Sequence, residues 1–318
     1  MTKRHFATVA LLLAAACLAP GCKKSAPPAA NSNAAAAAPD SMPTPTPMLN
    51  ERDVQMAKET FEREMKGEPE NLHFNLGNVY YNAGKFQEAI IEYQQAISLN
   101  PEDAVSYTNM GDANIRLGRT EEAMRAYEQA RRLDPKNFNT QIHLGNLYAK
   151  LNQHGQALAA YQQAARESPQ DPEAHARLGD AYRQLNRHAE AVASYSETIR
   201  LRPDFASAHY NLGFVLDQMG RSKEAADAFK NATRLNPKDG DAFYMLGMSR
   251  IKLEQYDDAV RAMEQAVKLK PDDAEAHHRL GSLYLLKGNK SAARVEHDKL
   301  KKLDPKRAEA LDQLISEP

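Results

Sequence analysis

Apolar and small residues recur along this chain in helical spacing, and the spacing repeats. Leu76, Gly77 and Tyr80 fall at i, i+1 and i+4, on one face of a first predicted helix. Ala89, Tyr93 and Ala96 fall at i, i+4 and i+7, on one face of a second. The pattern recurs every 34 residues, in seven copies without an insertion. Gly77 is followed by Gly111, Gly145, Gly179, Gly213, Gly247 and Gly281, and Pro101 by Pro135, Pro169, Pro203, Pro237, Pro271 and Pro305. The residue before each glycine is Leu or Met. Ala89 heads an alanine column continued by Ala123, Ala157, Ala191, Ala225, Ala259 and Ala293. The large-residue column four places later reads Tyr93, Tyr127, Tyr161, Tyr195, Phe229, Met263 and His297. Between the paired helices Gly84, Gly118, Asn152, Asn186, Gly220 and Gly288 tolerate the left-handed backbone of a helix C-terminus, and Glu254 alone breaks that column. A self-similarity of this length is the signature of a stacked array, in which each hairpin buries its apolar face only against neighbours.

These columns resemble the tetratricopeptide repeat over residues 70–307. The resemblance implies an all-α, right-handed superhelix (a TPR solenoid) of seven helical hairpins. Gly and Ala are expected to let the two backbones approach, and the aromatic ring to fill the space between adjacent hairpins. Leu at Gly179 or Ala191 is then expected to disrupt two interfaces. Both ends read as caps. Over 50–69, Asn50 and Asp53 open a helix with the stripe Val54, Ala57, Phe61 and Met65, stopped by Gly67. Residues 308–318 form a closing helix carrying Leu311, Leu314 and Ile315.

The first 49 residues follow a different logic. Lys3 and Arg4 precede an apolar run from Phe6 to Ala19, and a small-residue stretch ends at Gly21-Cys22. That layout is a secretory signal, and the run is short of the ~20 residues that span a bilayer. It resembles a bacterial lipoprotein leader over 1–21, with Cys22 the acylated residue. Cys17, plain secretion past Cys22 and an uncleaved anchor are the alternatives. The resemblance places the protein in the bacterial cell envelope, lipid-anchored at the periplasmic face of the outer membrane. Both cysteines lie here, so the repeats hold no disulfide. Residues 22–49 are rich in Pro, Ala, Ser and Asn, lack aromatic residues and apolar periodicity, and read as a disordered tether.

Charge adds little. With 41 Lys+Arg against 42 Asp+Glu the protein has no basic excess for nucleic acid. There is no phosphate loop, paired-glycine fingerprint or cysteine nucleophile in the repeats. No enzymatic activity, cofactor, metal or small-molecule substrate is expected. His73, His175, His209 and His277 share one column, and equivalent positions in successive repeats do not converge on one ion.

In tetratricopeptide arrays the first helices line a groove for an extended peptide or partner helix. By resemblance the groove positions here fall into two chemistries. Asn75, Asn78, Asn109, Asp112, Asn146 and Asp180 form a polar row whose amides both donate to and accept from a peptide backbone. Tyr210, Phe214, Tyr244, Met245 and Met248, with Asn211 among them, form an apolar cluster suited to a hydrophobic anchor, flanked by Arg177 and Arg279 as carboxylate partners. The family's clamp for the terminal carboxylate of a peptide needs a lysine two residues before the Leu, and no repeat has one. The resemblance therefore implies a protein–protein adaptor or assembly factor of the envelope. A pilotin for secretin or pilus assembly, an adaptor for cell-wall enzymes and a polysaccharide-export component are the alternatives.

Overall fold

The computed structural model describes residues 50–65, 67 and 69–316, and all regular structure among them is α-helical. The leader, both cysteines and the tether lie outside the described residues. The described residues fall into two compact units, within Pro39–Leu201 and Arg202–Pro318.

In the first unit a single helix α1 (Glu51–Glu64) precedes four hairpins: α2 (Pro69–Asn82) with α3 (Phe86–Leu99), α4 (Ala104–Arg116) with α5 (Thr120–Leu133), α6 (Phe138–Lys150) with α7 (His154–Glu167), and α8 (Pro172–Gln184) with α9 (His188–Leu201). Asn50 and Asp53 start α1 reciprocally. The Asn50 side chain accepts the Asp53 N–H at 3.0 Å, and Asp53 accepts the Asn50 N–H at 3.2 Å. The later first helices start on carboxylates or amides: Asp103, Asn137 and Asp171 each accept first-turn N–H groups. The first helix of a hairpin ends by the same device throughout. After α2, Gly84 takes φ 73°, its N–H donates to Tyr81 O at 3.0 Å, and Lys85 N–H donates to Tyr80 O at 2.9 Å. Two otherwise orphaned carbonyls are thus satisfied, and the backbone reverses into α3.

The second unit holds three hairpins and a closing helix: α10 (Ala206–Gln218) with α11 (Ser222–Leu235), α12 (Gly240–Lys252) with α13 (Tyr256–Leu269), α14 (Ala274–Leu286) with α15 (Lys290–Leu303), and α16 (Pro305–Ser316). Glu254, which lacks the residue type of its column, still adopts φ 59°, so the hairpin geometry overrides the residue's own preference. The closing helix begins at Pro305, three residues before the expected Ala308. The last proline of the series opens a helix instead of stopping one, because a first-turn position needs no N–H.

One packing expectation is corrected. The aromatic ring lies first inside its own hairpin, over the glycine of the partner helix. A Cβ on Gly77 would sit 2.5 Å from Tyr93 Cε1, on Gly145 2.4 Å from Tyr161 Cε1, and on Gly179 2.7 Å from Tyr195 Cε1. Leu at Gly179 would therefore break a contact within one hairpin before any interface between hairpins. The seventh repeat has His297 in this column, and Leu311 of α16 covers Gly281 in its place, 2.5 Å from the built Cβ. The closing helix thus supplies the side chain that the last hairpin lacks. Ala308, Leu311 and Ile315 are all buried there, against Leu285 and Leu300.

Candidate partner-binding groove

Four tyrosines of the first unit fix the polar row from behind. Tyr93 Oη donates to Asn78 Oδ1 at 2.8 Å, Tyr127 to Asp112 at 2.5 Å, Tyr161 to Asn146 at 2.8 Å and Tyr195 to Asp180 at 2.7 Å. The spacing is 15 residues each time, from the second helix back to the residue after the glycine. Each ring is buried with its hydroxyl against the first helix, and a buried hydroxyl must find an acceptor. Burial raises all four phenols above their ordinary value, so they stay protonated donors. In the fifth and sixth repeats the second-helix residue has no hydroxyl, and the acceptor disappears too. Phe229 faces Gly213 with Phe214 beside it, and Met263 faces Gly247 with Met248 beside it.

The row is linked along the groove as well as across the hairpin. Asn109 Nδ2 donates to Asn78 Oδ1 at 2.9 Å, and His143 Nδ1 lies 3.1 Å from Asp112 Oδ1 with its ring stacked on Tyr127. Burial raises the Asp112 carboxyl above its usual range, opposed by the charge of His143 and the Tyr127 hydroxyl. Asn75 instead bonds back to its own helix, at Asn71 O. The amides expected to serve a peptide backbone thus have internal bonds as well, and these orient them. Asn78, Asn109 and Asp112 converge with Tyr81, Asn82 and Tyr93 on a cleft of about 350 Å³. Tyr81 and Asn82, on the last turn of α2, and Tyr93 were absent from the sequence-derived set. Their signal was the pairing of Tyr with Asn or Asp across the hairpin.

The apolar cluster of the second unit is more packed than open. Tyr210 meets Phe229 edge-on at 5.6 Å, while Tyr244 and Met248 pack against Ile251, Met263 and Leu280. Asn211, Phe214 and Met245 are half-buried. Burial pushes the Tyr244 phenol up to about 12, with the neighbouring Arg279 opposing it. The two arginines expected to flank it each hold a carboxylate of their own helix. Arg177 reaches Glu173 at 2.8 Å, and Arg279, only 7% exposed, reaches Glu275 at 2.7 Å. Glu275 also binds Arg307 of α16 at 2.8 Å. The i,i+4 spacing of Glu and Arg was the overlooked sign that these arginines are committed internally.

The histidine column is structural in role. A ring nitrogen of His175, His209 and His277 bonds the carbonyl of Pro169, Pro203 and Pro271 at 3.0, 2.9 and 2.9 Å, and Gln141 does the same to Pro135 at 2.8 Å. Among the described residues no three His, Cys, Asp or Glu side chains are grouped to hold an ion.

Successive antiparallel hairpins, closed by a glycine–aromatic contact and stopped by a left-handed residue, define the helical-repeat class of protein–protein interaction scaffold. The family model for the Cilia and flagella-associated protein 70 C-terminal domain matches residues 103–310, and a TPR repeat model matches residues 77–118. The protein belongs to the tetratricopeptide repeat family, whose members are in general non-catalytic scaffolds. No curated protein matches it. Among solved structures it is similar to YrrB, a TPR protein with an unusual peptide-binding site, at 24% identity and TM-score 0.54 over 59% of this chain and 96% of that one. It is similar to MamA at 25% identity and TM-score 0.50, over 52% and 97% of the two chains. PilF of Pseudomonas aeruginosa aligns at 19% identity and TM-score 0.56, over 67% and 98%.

Proposed function

We propose that this protein is a non-catalytic adaptor or assembly factor of a bacterial cell-envelope complex, held to the membrane through acylated Cys22 and binding an extended segment of a protein partner. The observation that carries the binding reading is the cleft of Asn78, Tyr81, Asn82, Tyr93, Asn109 and Asp112. It has the size of a pocket for one side chain and its flanking backbone, at the low end of the ~300–1,000 Å³ range of ligand sites. Its polar groups are pre-oriented by hydrogen bonds to buried tyrosines, so little ordering is lost when a partner binds. The anchoring part of the reading rests on the leader sequence, with its apolar run and Gly21-Cys22. Two acyl chains on such a cysteine give stable attachment. No nucleic acid, cofactor or small-molecule substrate enters this reading.

The test is a crosslinked pull-down of the protein from its own envelope, compared with a double variant, Asn109→Ala with Asn146→Ala. A partner lost with the variant supports the groove as the binding surface. Identical partners from both proteins would mean that the groove is a solvated face. Metabolic labelling with an alkyne fatty acid tests the anchor, and label that persists in Cys22→Ala would contradict it.

A further inference from the structure

The lining of the first unit's cleft carries one formal charge, Asp112, which His143 approaches from outside the lining and on one oxygen alone. Of its six lining residues Asp112 alone is ionisable near neutral pH, and none is Lys, Arg or His. The two groups that bind Asp112 both fall on Oδ1: the Tyr127 hydroxyl, and His143 Nδ1 at 3.1 Å. Oδ2 receives no hydrogen bond among the described residues. A carboxylate has acceptor sites on both oxygens, and Oδ2, which is not among the buried atoms, stays open to a donor that enters the cleft. Arg116, the nearest cation of the same helix, is committed elsewhere. Its guanidinium lies 4.5 Å from the Phe86 ring centroid and 5.9 Å from that of Tyr81, and it forms no ion pair with Asp112. The other side chains of the cleft are neutral amides and phenols, which donate to and accept from a backbone but do not carry charge.

We propose that this cleft receives a basic side chain, lysine or arginine, of an extended partner segment, with Asp112 Oδ2 accepting its charge. This deepens the groove reading above and rests on it. An ammonium or guanidinium group would complete the unused acceptor with a charge-assisted hydrogen bond, the stronger kind. The amides of Asn82 and Asn109 are placed to meet the backbone on either side. A divalent ion is a poor occupant, since one carboxylate with neutral amides falls short of the six or more oxygen ligands that such ions take.

The arrangement also supplies a clean variant. Asn78 and Asn146 show that asparagine accepts the tyrosine hydroxyl at the equivalent positions. Asp112→Asn therefore keeps the Tyr127 bond while removing the charge. The experiment titrates the full-length protein, held in detergent micelles, with degenerate nonapeptide mixtures blocked at both ends. The central residue is fixed as lysine, arginine, norleucine or glutamate. The proposal expects the lysine and arginine mixtures to bind at least tenfold tighter than the norleucine and glutamate mixtures. It also expects Asp112→Asn to abolish that preference while leaving the melting temperature no lower. Equal binding of lysine and norleucine mixtures that is still lost in Asn82→Trp would overturn the charge preference and leave the groove reading intact. Binding by no mixture, or binding indifferent to Asn82→Trp, would overturn both.

Discussion

A single hydroxyl decides what stands beside each glycine of the first helices. In the first four repeats the second-helix residue is tyrosine and the residue after the glycine is Asn or Asp, and the two are hydrogen-bonded. Tyr161→Phe removes one such bond and leaves Asn146 Oδ1 without its donor. It is expected to destabilise the protein by about 1 kcal/mol in urea unfolding. Phe229→Tyr should cost more, about 1–3 kcal/mol, because its new hydroxyl would meet Phe214 in place of an acceptor. Asp112 gives a pH signature. Its folded-state carboxyl is raised by burial, so the folded protein binds the proton more tightly than the unfolded one. Its favourable contribution is complete below the unfolded value near 3.8 and is lost as pH rises through the raised folded value. Asp112→Asn is therefore expected to be more stable than the parent at pH 7, and the difference should shrink on acidification. A difference independent of pH would show that the charge is not the source.

At the scale of the element, the hairpin is specified by two backbone requirements that side chains then satisfy. The first is close approach at the glycine. Gly179→Ala places a methyl 2.7 Å from the Tyr195 ring in a packed core and is expected to destabilise by roughly 1–3 kcal/mol. Gly155→Ala, in the first turn of α7 with nothing within 4 Å of the new Cβ, is expected to be neutral or to stabilise by up to about 1 kcal/mol. The second is the left-handed turn residue. Glu254 holds φ 59° where other hairpins use Gly or Asn, and a non-glycine residue pays roughly 1–2 kcal/mol there. Glu254→Asn should raise the midpoint of urea unfolding with an unchanged slope. These elements were legible in the sequence, because glycine, alanine and proline at fixed offsets report backbone geometry directly. Less legible was which partner each side chain meets. The position of the tyrosine ring over its own glycine, and the internal pairing of Arg177 and Arg279, depend on how helices pack. A column of residues does not contain that information.

For the whole molecule, the sequence pointed to a polar groove surface and an apolar one, and the structure gives them different weights. The apolar residues Tyr210, Tyr244 and Met248 serve the second unit's core, with part of each left exposed. The polar residues Asn78, Asn109 and Asp112 border an open cleft in the first unit while being held from behind. Pre-orientation by buried tyrosines is what the proposed binding row has beyond hydration alone. It could not be read from Asn and Asp alone, though the pairing with Tyr was visible in the repeat columns. The proposed function turns on a partner entering this cleft. The most direct measurement is photo-crosslinking in the native envelope, with a leucine-sized diazirine amino acid placed at Asn82 in the cleft or at exposed Gln95 on α3. A discrete protein adduct is expected from position 82, lost when Asp112→Asn is added, and none from position 95. Adducts from position 95 alone, or none that depend on the cleft, would contradict it.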